Sequence, residues 1–150
     1  MTPKTTVKLR ASADCTSHSR ADISTRDLTF FIDEPVERGG TNFGPTPTET
    51  GLAALIACTN VIGHKCADKL GVDIGNLQIS AVCDFDRRGV TLQEEIDVPF
   101  TKIELSIQCS GAASAAEVAQ VAAEVKKFCP LSKLYRQGGT VIEENWQAAG

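Results

Sequence analysis

The sequence predicts an α+β fold in which mostly antiparallel sheet is arranged around one long helix. Three observations carry that prediction. Stretches of period-2 alternation stand both before and after a central apolar segment, Leu52–Gly63. A helix-start signature, Thr46-Pro47-Thr48-Glu49, immediately precedes that segment. No internal repeat or compositional break divides the 150 residues, so a single domain over 1–150 is expected.

The elements follow in order. Val7, Leu9, Ala11 and Ala13 alternate with Lys8, Arg10 and Ser12, the pattern of a half-buried strand. Arg20 to Ile32 reads as a hairpin with Leu28, Phe30 and Ile32 on one face, and the Gly/Pro/Asn-rich stretch Pro35–Pro45 breaks regular structure. The long helix starts with Thr46 as N-cap, Pro47 at the first helical position and Glu49 reaching back. It can run to Leu70, with Gly71 as its stop, over about 36 Å. Between Leu52 and Gly63 only Thr59 and Asn60 are polar, so this half is expected to be buried on several sides, by sheet or by a partner subunit. Leu77, Ile79, Ala81, Cys83 and Phe85 share a strand face, Arg87-Arg88-Gly89 marks a turn, and Ile103, Leu105, Ile107 and Cys109 share the next face. Ser114-Ala115-Ala116-Glu117 is a second capping box, opening a helix with Val118, Val121, Ala122, Val125 and Phe128 at helical spacing. Pro130 interrupts it. A short helix to Gln137 and a last strand, Thr140 to Trp146, complete the chain.

Composition narrows the function. The chain is 42% hydrophobic and 23% charged, ordinary for a globular domain that builds its own core. A net charge of −4 argues against nucleic-acid binding, and 5% aromatic residues are too few for a base-stacking platform. Met1–Arg10 has two Lys and an Arg but no apolar run behind them, so no secretory signal is expected. The Leu52–Gly63 stretch falls short of the ~20 residues of a membrane span. The expectation is a soluble, cytoplasmic protein with neither a nucleic-acid nor a membrane partner.

Six cysteines are unusual in such a chain. No Cys-x-x-Cys occurs, and Cys15 with His18 has no second half of ligand spacing, so no metal is expected. Cys83 and Cys109 fall in phase with strand apolar residues, and Cys66 lies on the helix stripe of Leu52, Leu55, Ile62 and Leu70; all three read as core. Cys15 sits in a loop or strand end. Cys58 falls about 90° from the stripe's centre, beside Ala54, Val61 and Lys65. It is either a packed thiol or a sulfur in a shallow apolar-walled depression. Cys129 precedes Pro130 and can cap the short helix, whose unpaired N–H groups would lower its pKa; the plainer alternative is a Cys at a helix break.

These segments resemble the OsmC/Ohr family, the osmotically inducible and organic-hydroperoxide-resistance proteins. The resemblance lies in Asp33-Glu34-Pro35, Gly39-Gly40-Thr41-Asn42, Gly44-Pro45-Thr46-Pro47-Thr48-Glu49, Leu52 to Cys58, and Cys129-Pro130-Leu131-Ser132. It implies an intertwined homodimer with the long helices at its centre and two active sites at the interface. It implies a thiol peroxidase that reduces organic hydroperoxides without a cofactor, with Cys58 as the peroxidatic cysteine and Cys129 as the resolving one. An arginine from an early strand and a glutamate near the start of the long helix complete the family site. Arg20 fits the arginine best by its distance upstream of the Pro35 motif, followed by Arg26, in phase with Leu28 and Phe30, and Arg38. Glu49 lies nine residues before Cys58, as in other OsmC-like branches. The hydroperoxide-resistance branch has its glutamate ten before, where Thr48 stands here, and one residue is ~100° on a helix.

The chemistry explains the residue types. Cys58 lies mid-helix, out of reach of the helix N-terminus, so a cation has to favour its thiolate. An arginine stays charged and its fork can also bind peroxide oxygens, while a carboxylate orients that fork. Attack on the O–O bond gives a sulfenic acid and an alcohol, Cys129 condenses with it to a disulfide, and an external dithiol reduces that disulfide. On one straight helix Cys58 and Glu49 are about 13 Å apart along the axis and on opposite sides, so a site using both draws most simply on two chains. Apolar walls from Leu52, Leu55, Ile56 and Val61 suit an alkyl or lipid hydroperoxide. The competing expectation is a non-catalytic OsmC-like scaffold that binds a small apolar ligand.

Overall fold

The computed structural model describes residues 4–150; the first three residues of the Met1–Arg10 stretch lie outside it. The chain divides into two compact units, one through Gly51 and one over Leu52–Gly150, with the boundary inside the first turns of the long helix.

The first unit is a three-stranded antiparallel sheet in the order β1 (Ser12–Asp14), β2 (Ala21–Thr25), β3 (Leu28–Ile32). The hairpin pairs Thr25 with Leu28, and its two-residue turn places Arg26 at φ 54°. β1 is shorter than its alternation suggests. Its register sets Ser12 opposite Ser24, so residues before Arg10 would run past the hairpin turn with nothing to pair. Val7 and Leu9 are accordingly exposed, which corrects the expected half-buried strand over 7–13. The Leu28, Phe30 and Ile32 face is also not buried: Leu28 and Phe30 are exposed, and Ile32 only half-buried.

The helix α1 spans Pro47–Leu70 as expected. The Thr46 N–H donates to Glu49 Oε1 (2.9 Å) and the Glu49 N–H to Thr46 Oγ1 (3.2 Å), a complete capping box. At the far end Gly71 (φ 69°) donates to the Asp68 carbonyl and Val72 to that of Ala67, closing the helix in a Schellman motif. The helix is not buried on several sides within this chain. Leu55, Thr59, Gly63, Cys66 and Ala67 form one buried stripe, while Ala53, Ala54, Ala57 and Val61 are exposed.

The second unit continues with β4 (Leu77–Phe85), β5 (Phe100–Cys109), α2 (Ala115–Phe128), α3 (Pro130–Gln137) and β6 (Val141–Gln147). Alternation holds along β4 and over the second part of β5, with Ile103, Leu105, Ile107 and Cys109 buried; it slips at Lys102–Ile103, where the register shifts opposite Asp84 and Phe85. The Ser114 capping box forms as expected, whereas Phe128 is exposed. β4 and β5 pair antiparallel, but β6 joins β5 in parallel, since α2 and α3 carry the chain back along the sheet before it pairs. Three of the four strand pairings are thus antiparallel. Leu55 packs with Ile103, Leu105, Ile107 and Ile142 in one core cluster; Cys66, Cys109, Val121, Val125 and Cys129 belong to another. Among the described residues no helix is long and apolar enough to cross a membrane.

Candidate active site

Cys129 is the single residue between α2 and α3, and proline chemistry puts it there. A residue before proline is driven to extended backbone, which ends α2, and Pro130 is preset for the first position of α3. Cys129 takes φ −72°, ψ 112°. Its N–H closes α2 on the Val125 carbonyl (2.9 Å), and its Sγ accepts the Ser132 N–H (3.5 Å) as the cap of α3. The capping reading therefore holds. The expected lowering of its pKa does not. Cys129 is fully buried, and burial raises the pKa, with the neighbouring Cys58 thiol adding to the rise; the N–H groups of Ser132 and Leu131 pull the other way and lose.

Cys58 is half-buried on α1 and packs against the cluster that holds Cys129, so the two thiols are neighbours. The structure thus brings together two cysteines 71 positions apart, one partly open and the other sealed. A sealed, protonated thiol is a poor target for oxidants in solvent, yet it is the nearest group to anything formed on Cys58. Burial also raises the pKa of Cys66, Cys83 and Cys109, consistent with inert structural thiols. All six cysteines are free, and Cys15 is exposed. Leu55 is fully buried in the core, so it does not wall a depression beside Cys58.

Arg20 and Glu49 belong to the first unit. Arg20 grips Asp22 with both arms of its fork, Nε to Oδ1 at 2.7 Å and Nη2 to Oδ2 at 3.2 Å. It lies over the rings of Phe43 and Phe31, 4.2 and 5.3 Å from their centroids. The hydrogen bond to Asp22 raises its pKa, so it stays charged. The other two candidates are less held: Arg26 sits exposed in the hairpin turn, and Arg38, also exposed, meets Glu34 at 3.3 Å. Glu49 is committed to its cap, and the Thr46 backbone N–H that it accepts holds its pKa down. Thr48, at the alternative position, has its hydroxyl 3.3 Å from that of Thr46.

Sequence reasoning missed a polar chain next to Cys129. Arg136 of α3 donates to Ser132 Oγ (3.1 Å) and to Glu144 Oε2 of β6 (3.0 Å), and Glu144 Oε1 accepts the Trp146 indole N–H (3.2 Å). A signal was available: Glu144 falls in phase with Ile142 and Trp146, a carboxylate on the inward face of a strand.

The two-unit α+β fold is shared with solved structures. The OsmC-like protein of Mycoplasma pneumoniae superposes with a TM-score of 0.80 at 18% identity, over 96% of this chain and 99% of that one. The organic hydroperoxide resistance protein OhrB of Bacillus subtilis gives 0.66 at 18% identity, over 94% and 98%. An organic hydroperoxide resistance protein OsmC of Legionella pneumophila gives 0.67 at 17%, over 98% and 100%. At such identities the likeness speaks to the fold. The sequence model of the OsmC-like protein family matches residues 39–145, and the chain belongs to that family. No curated protein matches it.

Proposed function

We propose that this protein is a cysteine-based thiol peroxidase that reduces organic hydroperoxides to alcohols. The observation that carries the reading is the packing of half-buried Cys58 against the cluster that holds Cys129, in an OsmC-like chain; its structural neighbours include proteins named organic hydroperoxide resistance proteins. Cys58, the more open sulfur, attacks the peroxide as its thiolate. One oxygen stays on Cys58 as a sulfenic acid and the other leaves, protonated, as the alcohol. The Cys129 sulfur then bonds to Cys58, the sulfenic oxygen departs as water, and an external dithiol reduces the disulfide by exchange. No cofactor enters this cycle.

Arg20 is the cation of the reading and Glu49 its carboxylate partner, both brought in by the family resemblance. Arg20 is favoured over Arg26 and Arg38 because it alone is fixed by a bidentate carboxylate and aromatic faces. The working form is a homodimer, acting in the cytoplasm as one OsmC-like domain per chain. Its support is the apolar residues α1 leaves uncovered and the presence of Cys58 and Glu49 on one continuous helix, half a turn out of phase.

One equivalent of cumene hydroperoxide followed by non-reducing peptide mapping tests the cycle. Wild type is expected to form a Cys58–Cys129 disulfide, Cys129→Ser to accumulate a trappable Cys58 sulfenic acid, and Cys58→Ser to do neither. Survival of both thiols in folded protein would overturn the reading. It would favour a scaffold for a small apolar ligand, which the commitment of Glu49 to its cap already suggests as the second choice.

A further inference from the structure

Around Cys129 the second unit closes a ring of contacts that peroxide attack does not itself require. Cys129 Sγ accepts the N–H of Ser132, a buried residue whose hydroxyl takes the Arg136 Nε–H. Arg136 reaches Glu144, and Glu144 takes the Trp146 indole. The Trp146 ring then returns to α1 at Gly63, where a Cβ would stand 3.2 Å from its Cη2. Gly63 is on the same helix as Cys58, and Cys58 packs against the cluster that holds Cys129. The ring starts and ends on α1 with both sulfurs in it.

The Glu144 side chain is 3% exposed. A carboxylate sealed against an arginine seldom adds net stability over an apolar pair of the same volume, and Ile142 on the same face shows the apolar choice. What the ion pair adds is direction. A planar guanidinium with fixed donors admits one setting of α3 against β6. α3 has only eight residues, too few to hold its place unaided, and Cys129 is its cap.

We infer that Arg136, locked between Ser132 and Glu144, is a positioning residue that seats Cys129 Sγ on Cys58 Sγ and so sets the rate of disulfide closure. This rests on the reading of Cys129 as the resolving thiol. In that step the Cys129 thiolate attacks Cys58 Sγ, one S–S bond forms, and the group carried by Cys58 leaves with the electron pair; from a sulfenic acid it leaves as water, taking a proton. Arg136 touches neither reacting sulfur.

The step can be isolated from peroxide. Cys58 is loaded as a mixed disulfide with nitrothiobenzoate in a Cys15→Ser background, which removes the exposed thiol, and release of the coloured thiolate reports attack by Cys129. Arg136→Met is expected to slow release on the order of tenfold to a hundredfold, as displaced reacting groups do. Arg136→Lys recovers part of the rate, keeping the charge but not the fork. Ser132→Ala, which leaves the ion pair intact, slows release severalfold and serves if Arg136→Met does not fold. Dimedone trapping in Cys129→Ser reads sulfenic acid formation separately, and Arg136→Met is expected to leave it unchanged. Release within twofold of the parent in folded Arg136→Met or Ser132→Ala overturns the inference. So does an equal fall in release and sulfenic acid formation, the mark of a merely disrupted site. Prompt release slowed by Arg136→Met, with Cys58 untouched by hydroperoxide, upholds the inference and sinks the peroxidase reading alone.

Discussion

Asp33 is wholly buried although nothing apolar marks it, because its carboxylate collects the N–H groups of Glu34, Thr41 and Phe43 and the Thr41 hydroxyl, at 2.5–3.1 Å. It ties Asp33-Glu34-Pro35 to Gly39-Gly40-Thr41-Asn42, so two motifs that read as separate family marks are one folded loop. Gly40 belongs to the same device: a Cβ there would lie 1.9 Å from the Glu34 carbonyl oxygen. The hydrogen bonds, the Thr41 hydroxyl first, hold the Asp33 pKa well below the ordinary aspartate value. A carboxylate depressed in the folded state stabilises fully above its unfolded pKa, roughly 4, and that gain fades as pH falls below it. Asp33→Asn should therefore lower Tm by several degrees at pH 7, and thermal melts at pH 3 should show the gap narrowed. A pH-independent gap would count against this account. Helical phase and the Cys-Pro step set Cys58 and Cys129 apart as candidates because both are local, whereas only the family resemblance implies that they act together. The balance at Cys129, where burial overrides helix capping, depends on residues from α1, β5 and α2 that share its cluster, and adjacent sequence does not report them.

Elements with chemical punctuation were read most accurately. Both capping boxes, the Gly71 stop and the Pro130 break involve residues a few positions apart, so the sequence contains the whole interaction. Pairing was not readable in the same way. The shortness of β1 follows from its register against β2, and the parallel course of β6 from the path of α2 and α3. Glu49 carries a double claim, cap and proposed catalytic carboxylate, which one substitution can separate. Glutamine serves a capping box as glutamate does. Glu49→Gln is thus expected to unfold within about 0.5 kcal/mol of wild type yet turn over hydroperoxide more slowly, while Glu49→Ala costs about 1 kcal/mol as well. Denaturant melts beside a peroxide-consumption assay decide it; full turnover by Glu49→Gln would leave Glu49 as a cap alone.

For the molecule as a whole, the uncovered residues of α1 are the main departure from a self-sufficient chain. Ala53, Ala54, Ala57 and Val61, the last 50% exposed, leave an apolar helix face open in the first part of α1. Sedimentation should find a dimer at micromolar concentration, and Val61→Arg should raise the monomer fraction; a wild-type monomer would remove the two-chain site. The hydrophobic run of this helix was evident in the sequence, but which part of it a sheet would cover was not, since that depends on where β4 and β5 pack. The course of β6 has a consequence for assembly. It pairs Lys102 with Val141 and Gln108 with Gln147 across two intervening helices, a long-range closure that local contacts must precede. Until it docks, Glu144 and Trp146 are absent from the surroundings of Cys129. Under the proposed cycle, a half-assembled chain holds Cys58 and Cys129 without the Arg136–Glu144 pair inferred to seat them, and a sulfenic acid formed then is resolved more slowly and lies longer within reach of oxidation to irreversible sulfinic acid. On that reading the interval of greatest danger from an oxidant is maturation, before the last strand has closed.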